Sequence, residues 1–464
     1  MTDLFSASDL VSAERHTHIV GVGGAGMSAI ATVLRQMGQQ VSGSDQRDSS
    51  TVDRLRKIGV SVAVGHTAHN IAGADVVIIS TAVSDSNVEV VAAVAANVPV
   101  LRRDQMLAAI TQQRRSIAVA GTHGKTTTSS FLALALRFAD LDPSFVIGAE
   151  VAALDASAYW GEGDLFVVEA DESDGTFLRL DRTAAVVTSV EPDHIAYYGS
   201  EAAMVAAFVQ FVKETDGPVA VCLDDVGASA LLAVTDTTIG YGIHEDAAVR
   251  ISQFVGAQNS CTFTIVTEDG EWPVSLATPG LHNAQNATAA FAIAVALGAD
   301  VERVVSGLEA YTGVARRFEL RGIANDITFV DDYAHLPTEV EAVLAAAKDG
   351  GWGRVIAVFQ PHRFSRTAEL YAGFAGSFVN ADVVVVTDIF ASGEAPVAGV
   401  TGKLVADAAL AADPGSHVVF LPQRDDLITY LMSTLRAGDL CLTLGAGDLT
   451  TLPDELIPQL TGER

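Results

Sequence analysis

Cysteine is scarce: Cys222, Cys261 and Cys441 are the only three in 464 residues, and no two form a CxxC pair. Such spacing suits reduced, structural thiols and excludes a disulfide framework or a thiolate zinc cage. Any metal is expected on oxygen or imidazole. Basic side chains are also few, 28 Lys and Arg against 57 Asp and Glu, and the formal net charge of −29 speaks against casual nucleic-acid binding. Apolar residues make up 49% and the mean hydropathy is +0.32, yet Ala and Val are so spread that no uninterrupted apolar run reaches the ~18 residues of a membrane span. Residues 1–15 lack a basic start, an apolar centre and a small-residue cleavage site. No export signal is expected there, and the cytoplasm is the expected compartment.

What is present is a repeated alternation. Short Val/Ile-rich runs at 18–22, 76–80, 117–120, 166–169, 185–189, 219–223, 355–359, 383–387 and 440–444 are separated by Ala-rich helical stretches. Runs that are apolar throughout read as strands buried on both faces of parallel sheets, so the class is α/β. Three strands end in glycine-rich or charged turns, after 21, after 121 and at 331–335, and look like starts of separate sheets. Boundaries near 112–115 and 313–319 give three domains, 1–112, 113–315 and 316–464. Between 237 and 276 segments such as CTFTIV and WPVSLA, around the turn Glu268-Asp269-Gly270, read as antiparallel strands of an accessory hairpin.

The first strand runs into Gly21-Val22-Gly23-Gly24-Ala25-Gly26 and a helical stretch, with Asp45 following the next strand. By spacing this meets the dinucleotide fingerprint: glycines let the backbone approach a pyrophosphate at a helix N-terminus, and the carboxylate can meet a ribose hydroxyl. The loop does not say whether the diphosphate belongs to NAD, as in an NAD-dependent oxidoreductase, or to a nucleotide-sugar.

A second loop, Gly121-Thr122-His123-Gly124-Lys125-Thr126, lies between a strand and a helix expected at 127–139. It is two residues shorter between its glycines than the usual phosphate-loop pattern. Its backbone N–H groups can cradle phosphates, Lys125 supplies a point charge for the β/γ oxygens, and Thr126 offers a hydroxyl to Mg²⁺. A triphosphate is implied, which an oxidoreductase does not need. Four acids in six residues, Glu169-Ala170-Asp171-Glu172-Ser173-Asp174, follow one strand, and Glu191-Pro192-Asp193-His194 follows another. Crowded carboxylates repel without a cation, so Thr126, Glu169 and His194 are the candidate Mg²⁺ ligands around the phosphates.

These segments carry a family resemblance. GTHGKTTT (121–128), EADESDGTF (169–177), EPDH (191–194), LHNAQNATAA (281–290), RRFE (316–319) and DDYAH (331–335) resemble, in order and spacing, the Mur ligases that build the peptidoglycan stem peptide. The match covers essentially the whole chain. It implies a Rossmann-like UDP-sugar domain, a central phosphate-loop ATPase domain with accessory antiparallel strands, and a Rossmann-like C-terminal domain that closes on ATP and binds the amino acid. Within the family, GVGGAGMSAIA (21–31) and QPHRFSRT (360–367) resemble the branch that adds L-alanine to UDP-N-acetylmuramate with ATP and Mg²⁺. The recycling branch, which adds a murein tripeptide to the same sugar nucleotide, has a similar first loop.

Carried over by motif, the resemblance implies that Gly23, Gly24 and Gly26 face the UDP diphosphate, with Asp45 and His66 toward the uridine end. It places Gly121, Thr122, His123, Gly124, Lys125, Thr126 and Thr127 around the ATP phosphates, His282, Asn283 and Asn286 at adenine, Arg317 at the γ-phosphate and Asp332 at the ribose. Tyr333, His335, Arg363 and Arg366 form the implied amino-acid pocket, and Lys125, His194, Arg317 and His335 the catalytic set. Two departures stand out: Leu336 replaces the second His of the usual DDYAHHPTE, and the first lysine after His194 is Lys213, leaving no counterpart for the carbamylated lysine of sister ligases.

Overall fold

A computed structural model describes residues 6–462. Twenty-one strands form three sheets among these residues. The first contains β1 (His16–Val20), β2 (Gln40–Asp45), β3 (Ser61–Val64), β4 (Val76–Ile79) and β5 (Val100–Arg102), all parallel, in the order β3-β2-β1-β4-β5. Strand order reverses at β1, and in open α/β sheets the crevice outside the strand ends at such a point is where ligands bind.

The second sheet has ten strands. Its members are β6 (Arg115–Ala120), β7 (Ser144–Val151), β8 (Ala156–Tyr159), β9 (Leu165–Glu169), β10 (Ala184–Val187), β11 (Val219–Cys222), β12 (Thr238–Gly242), β13 (Val249–Gly256), β14 (Cys261–Thr267) and β15 (Gly270–Leu276). Their order is β15-β14-β13-β12-β11-β10-β6-β9-β7-β8. The third sheet orders β16 (Glu319–Ala324), β17 (Ile327–Asp332), β18 (Arg354–Phe359), β19 (Val383–Val386), β20 (Val418–Phe420) and β21 (Asp439–Leu444) as β16-β17-β21-β18-β19-β20, parallel except for the edge strand β16. The α/β class expected from the runs is what the chain adopts.

Run lengths and strand lengths differ at the ends. The first strand stops at Val20 rather than 22, because Gly21 takes φ +74° and opens the turn. The helix after the second glycine loop begins at Lys125, not at 127, and ends at Phe138. Within the expected accessory segment, β12 is a parallel partner of both β11 and β13, so the segment first extends the parallel sheet.

Buried composition explains these elements. β4 is Val-Val-Ile-Ile and β19 four valines, each residue buried, as the β-branched centre of a two-faced sheet requires. Helix Lys125–Phe138 is buried at every position from Thr126 to Leu136, which is why its apolar residues follow no single stripe.

By internal contacts the chain divides into two compact units. One comprises residues up to Ser252 with Ile265–Trp272 and Gln285–Tyr311; the other comprises Gln253–Thr264, Pro273–Ala284 and the chain from Thr312 onward.

Candidate functional site

In the first unit a cavity of about 630 Å³ opens beside the first glycine loop, with Gly24, Gly26, Asp45 and His66 in its wall. Gly23 N–H donates to Asp45 Oδ2 at 2.9 Å, so the acid that ends β2 fixes the loop as well as facing the cavity. Two wall elements were not foreseen from sequence. Arg103, at the start of helix Arg103–Thr111, reaches into the cavity, and its Nη2 lies 3.5 Å from Asp171 and 3.9 Å from Asp174, both of the acidic loop after β9. That loop serves the sugar-nucleotide candidate site as well as the phosphate loop.

The second glycine loop joins β6 to helix Lys125–Phe138, and its glycines are obligatory. Gly121 has φ +134° and an added Cβ would meet Thr188 Oγ1 at 2.1 Å; Gly124 has φ +76° and a Cβ there would meet Asn286 Oδ1 at 2.5 Å. Lys125 Nζ donates to Gly121 O at 2.6 Å and Thr122 O at 3.3 Å, and pairs with Glu172 at 2.8 and 3.0 Å. Burial works against its charge, but the carboxylates of Glu172, Glu169 and Asp171 outweigh this and hold the ammonium above its usual range. Glu172, only 4% exposed, is a partner of Lys125 that the sequence did not single out.

Thr126 Oγ1 shares its proton between both oxygens of Glu169 at 3.0 Å, and Gly148 N–H donates to Glu169 at 2.6 Å. The Thr126 hydroxyl and the Glu169 carboxylate thus form a pair of hard oxygen donors beside the phosphate loop. His194, the third expected metal ligand, sits at φ +55° with Nε2 3.3 Å from Asp193. Among the described residues no three His, Cys, Asp or Glu form a cluster able to hold a metal ion. His123 N–H is bound by Ser189 Oγ at 2.9 Å and its Nε2 lies 3.2 Å from Glu191; Glu191 N–H donates to Thr122 Oγ1 at 2.9 Å, tying the loop to the EPDH segment. Thr127 is buried in the helix behind them. Asn286 accepts from Thr128 Oγ1 at 3.2 Å, which commits its amide oxygen to the base of the phosphate loop.

The second unit holds the remaining expected residues. Asn283 Nδ2 donates to Pro279 O at 2.7 Å. His282 is half-buried, its Nδ1 enclosed and without a hydrogen-bond partner among the described residues, and burial followed by the Arg317 charge pushes its pKa down to about 4. Asp332, at the end of β17, accepts from Phe318 and Ala334 N–H, each at 2.7 Å; burial nevertheless raises its pKa to about 6 against the pull of Arg317. The guanidinium groups of Arg316 and Arg317 lie 4.9 and 5.1 Å from the centre of the Tyr333 ring.

Tyr333 meets His335 edge-on at 5.2 Å, His335 meets His362 at 5.7 Å, and His362 stacks on Phe390 at 5.9 Å. Arg366 Nη1 donates to His362 Nδ1 at 3.1 Å, while Arg363 opens helix Phe364–Leu370 at φ +67°. Burial first, then the His335, Arg366 and Arg363 charges, pushes the His362 pKa down to about 4, so the ring is neutral at pH 7 and able to accept. His362 and Phe390 belong to this cluster although sequence reasoning passed over them; the signal available was the position of His362 directly before Arg363. Leu336, in place of a histidine, is 4% exposed and packs inward at the start of helix Pro337–Asp349.

Two glycine loops in one unit, one with a lysine and a threonine set against carboxylates and one beside a large cavity, are the marks of a nucleotide-dependent enzyme. Three family models match the chain: the Mur ligase family catalytic domain at residues 16–115, the Mur ligase middle domain at 119–294 and the Mur ligase glutamate ligase domain at 316–447. The chain belongs to the Mur ligase family. It is 46% identical over 473 residues to the UDP-N-acetylmuramate–L-alanine ligase of Kineococcus radiotolerans, covering 99% of each chain. To the ligase of the same name from Desulforamulus reducens it is 42% identical over 454 residues, covering 96% of this chain and 98% of that one. Among solved structures, UDP-N-acetylmuramate-alanine ligase from Thermotoga maritima matches with a TM-score of 0.79 at 28% identity, covering 97% and 100% of the two chains. A murein peptide ligase from Psychrobacter arcticus matches with 0.69 at 25%, covering 97% and 99%.

Proposed function

We propose that this chain is an ATP-dependent ligase that joins L-alanine to the lactyl carboxylate of UDP-N-acetylmuramate in peptidoglycan precursor synthesis, in the cytoplasm. The observation that carries the reading is the pair of glycine loops in one unit, with Lys125 and Thr126 facing Glu172 and Glu169 at one and a cavity of about 630 Å³ by Gly24 and Gly26 at the other. Full-length similarity to ligases of that name supports it; an NAD-dependent oxidoreductase would leave the phosphate loop without a task.

A carboxylate cannot acylate an amine directly, since oxide would have to leave. A lactyl carboxylate oxygen therefore attacks the γ-phosphorus of ATP, ADP departs, and an acyl phosphate forms. The amine of L-alanine then adds to the carbonyl carbon, loses a proton, and the tetrahedral adduct expels phosphate. Such phosphoryl transfer asks the protein for positioning and charge neutralisation rather than for a nucleophile. Lys125 exchanges its carbonyl and Glu172 contacts for the γ-phosphate, while the N–H groups from Gly124 to Thr127 surround the β/γ oxygens. Thr126 and Glu169 supply two oxygen donors that fit Mg²⁺, and the ion when bound offsets phosphate charge. Arg317 faces the γ-phosphate, Asp332 the ribose, and His282, Asn283 and Asn286 the adenine end. The carboxylate of L-alanine is held by Arg363 and Arg366, whose fork geometry suits it, with Tyr333 and His335 beside them. The domain bounds are 1–112 for the UDP-sugar domain, 113–315 for the ATP domain and 316–464 for the C-terminal domain.

The test is phosphate release with ATP, Mg²⁺ and UDP-N-acetylmuramate, comparing L-alanine, glycine, L-serine and murein tripeptide. L-alanine is expected to give the highest kcat/KM; a preference for the tripeptide would reassign the chain to the recycling branch.

A further inference from the structure

Glu89 is a fully buried carboxylate that the chemistry above leaves unused. It lies in the first turn of helix Val88–Ala95, within reach of His66 in the wall of the sugar-nucleotide cavity. Its Oε1 accepts from Asn70 Nδ2 at 2.5 Å and Thr67 N–H at 3.2 Å, holding the segment that carries His66. Its Oε2 accepts from Ser44 Oγ at 2.6 Å, with His18 Nε2 at 3.4 Å and His66 Nδ1 at 3.5 Å. On the far side Ser42 Oγ touches His18 Nδ1 at 2.9 Å and His16 Nε2 at 2.8 Å, so His18 is braced with its other nitrogen toward Glu89. Of these groups, His66 lines the cavity.

Proton accounting along this chain has a chemical consequence. A serine hydroxyl carries one proton, and that of Ser44 goes to Glu89. The 3.0 Å contact between Ser44 Oγ and His66 Nδ1 is therefore one in which Nδ1–H donates and the hydroxyl oxygen accepts. In a neutral imidazole so bound, Nε2 keeps its lone pair and is an acceptor. We propose that Glu89 is a positioning residue for nucleotide recognition: through Ser44 it fixes the Nδ1–H tautomer of His66, so that Nε2 accepts from a donor of the bound nucleoside, the ribose 2′-hydroxyl or the base imide N–H. This rests on the sugar-nucleotide reading of the cavity.

Glu89→Gln separates the two halves of the role. The amide oxygen still serves Asn70 and Thr67, but the NH₂ now donates to Ser44, whose proton turns to His66 Nδ1; the imidazole becomes Nε2–H, a donor facing a donor. Ser44→Ala breaks the same relay while leaving the Asn70 and Thr67 contacts with Glu89.

The experiment is calorimetry on the full chain with UDP, 2′-deoxy-UDP and 3-methyl-UDP, for the wild type, Glu89→Gln, Ser44→Ala, His66→Ala and the double Glu89→Gln/His66→Ala, with steady-state kinetics alongside. UDP affinity is expected to fall about tenfold in each single variant, the size of one lost hydrogen bond. The double variant is expected to bind no more weakly than His66→Ala. KM for the UDP-sugar rises in step, whereas kcat and KM for ATP and L-alanine stay put, a split that general loosening of the fold would not give. One analogue, the one lacking the donor, should bind wild type and Glu89→Gln equally. Glu89→Gln binding UDP as tightly as wild type, additive losses in the double variant, or equal tenfold losses for both analogues overturns the inference alone. A wild type that binds no UDP overturns the sugar-nucleotide reading together with it.

Discussion

At Lys125, a part-buried ammonium is kept charged by three carboxylates, and its donors are spent on Glu172 and two backbone carbonyls. Lys125→Ala is expected to lower kcat for phosphate release by at least about 10²-fold, the loss of one transition-state donor, while UDP-sugar binding measured by calorimetry stays within error. Glu172→Gln tests the other partner. The side chain keeps its shape and one acceptor oxygen but loses the charge that pairs with the lysine, so KM for ATP is expected to change while KM for L-alanine does not. The asymmetry between these residues is also one of legibility. Lys125 could be read from GTHGKT because its neighbours in sequence are its neighbours in the loop. Glu172 stood out only as one of four acids, since what distinguishes it from Asp171 and Asp174 is which of two sites it faces.

Elements differ in what disrupts them. In the phosphate loop, Gly121→Ala places a methyl group 2.1 Å from Thr188 Oγ1 at a positive φ, and a loss of about 2–4 kcal/mol is expected, read as a fall in Tm. In the first sheet the vulnerable link is acid. Burial alone would raise the Glu89 pKa, but hydrogen bonds from His18, Ser44 and Asn70 bring it down to about 2 from an ordinary 4.5. A carboxylate lowered by folding stabilises the native state fully above its unfolded pKa, and that stabilisation drains as pH falls from about 4.5 toward 2. The amount is on the order of 3 kcal/mol. Circular dichroism through an acid titration should show it, with Glu89→Gln losing the steep part of the curve between those values. Strands such as β4 and β19 were legible because unbroken β-branched runs leave little choice. Glu89 was not: helix Val88–Ala95 reads as Val and Ala with one acid, and the partners that justify burying it lie 19 to 71 residues away. Arg103 was hidden in the same way, its acids Asp171 and Asp174 being remote in sequence.

For the whole molecule the governing quantity is the net charge of −29. Self-repulsion of that size destabilises compact states at low ionic strength and is screened within about 10 Å at 0.1 M salt. Tm is therefore expected to rise between 10 and 150 mM NaCl in calorimetry; an unchanged or falling Tm would mean that local pairs, not the overall field, dominate. The broad organisation was readable in advance because motif order mirrors sheet order along the chain. How the 253–284 segment divides between the two units was not, since its alternation of short strands does not mark which stretch belongs to which.

One short stretch, from Glu169 to Asp174, performs three attachments at once: Glu169 to Thr126, Glu172 to Lys125, and Asp171 with Asp174 to Arg103. Its spacing is thus under two independent constraints, and shortening or lengthening it by a single residue would misalign both nucleotide pockets in one stroke. Such a segment fixes its length together with its four acids, and lineages or engineered variants of this enzyme should vary there at Ala170 and Ser173 while keeping the count of six.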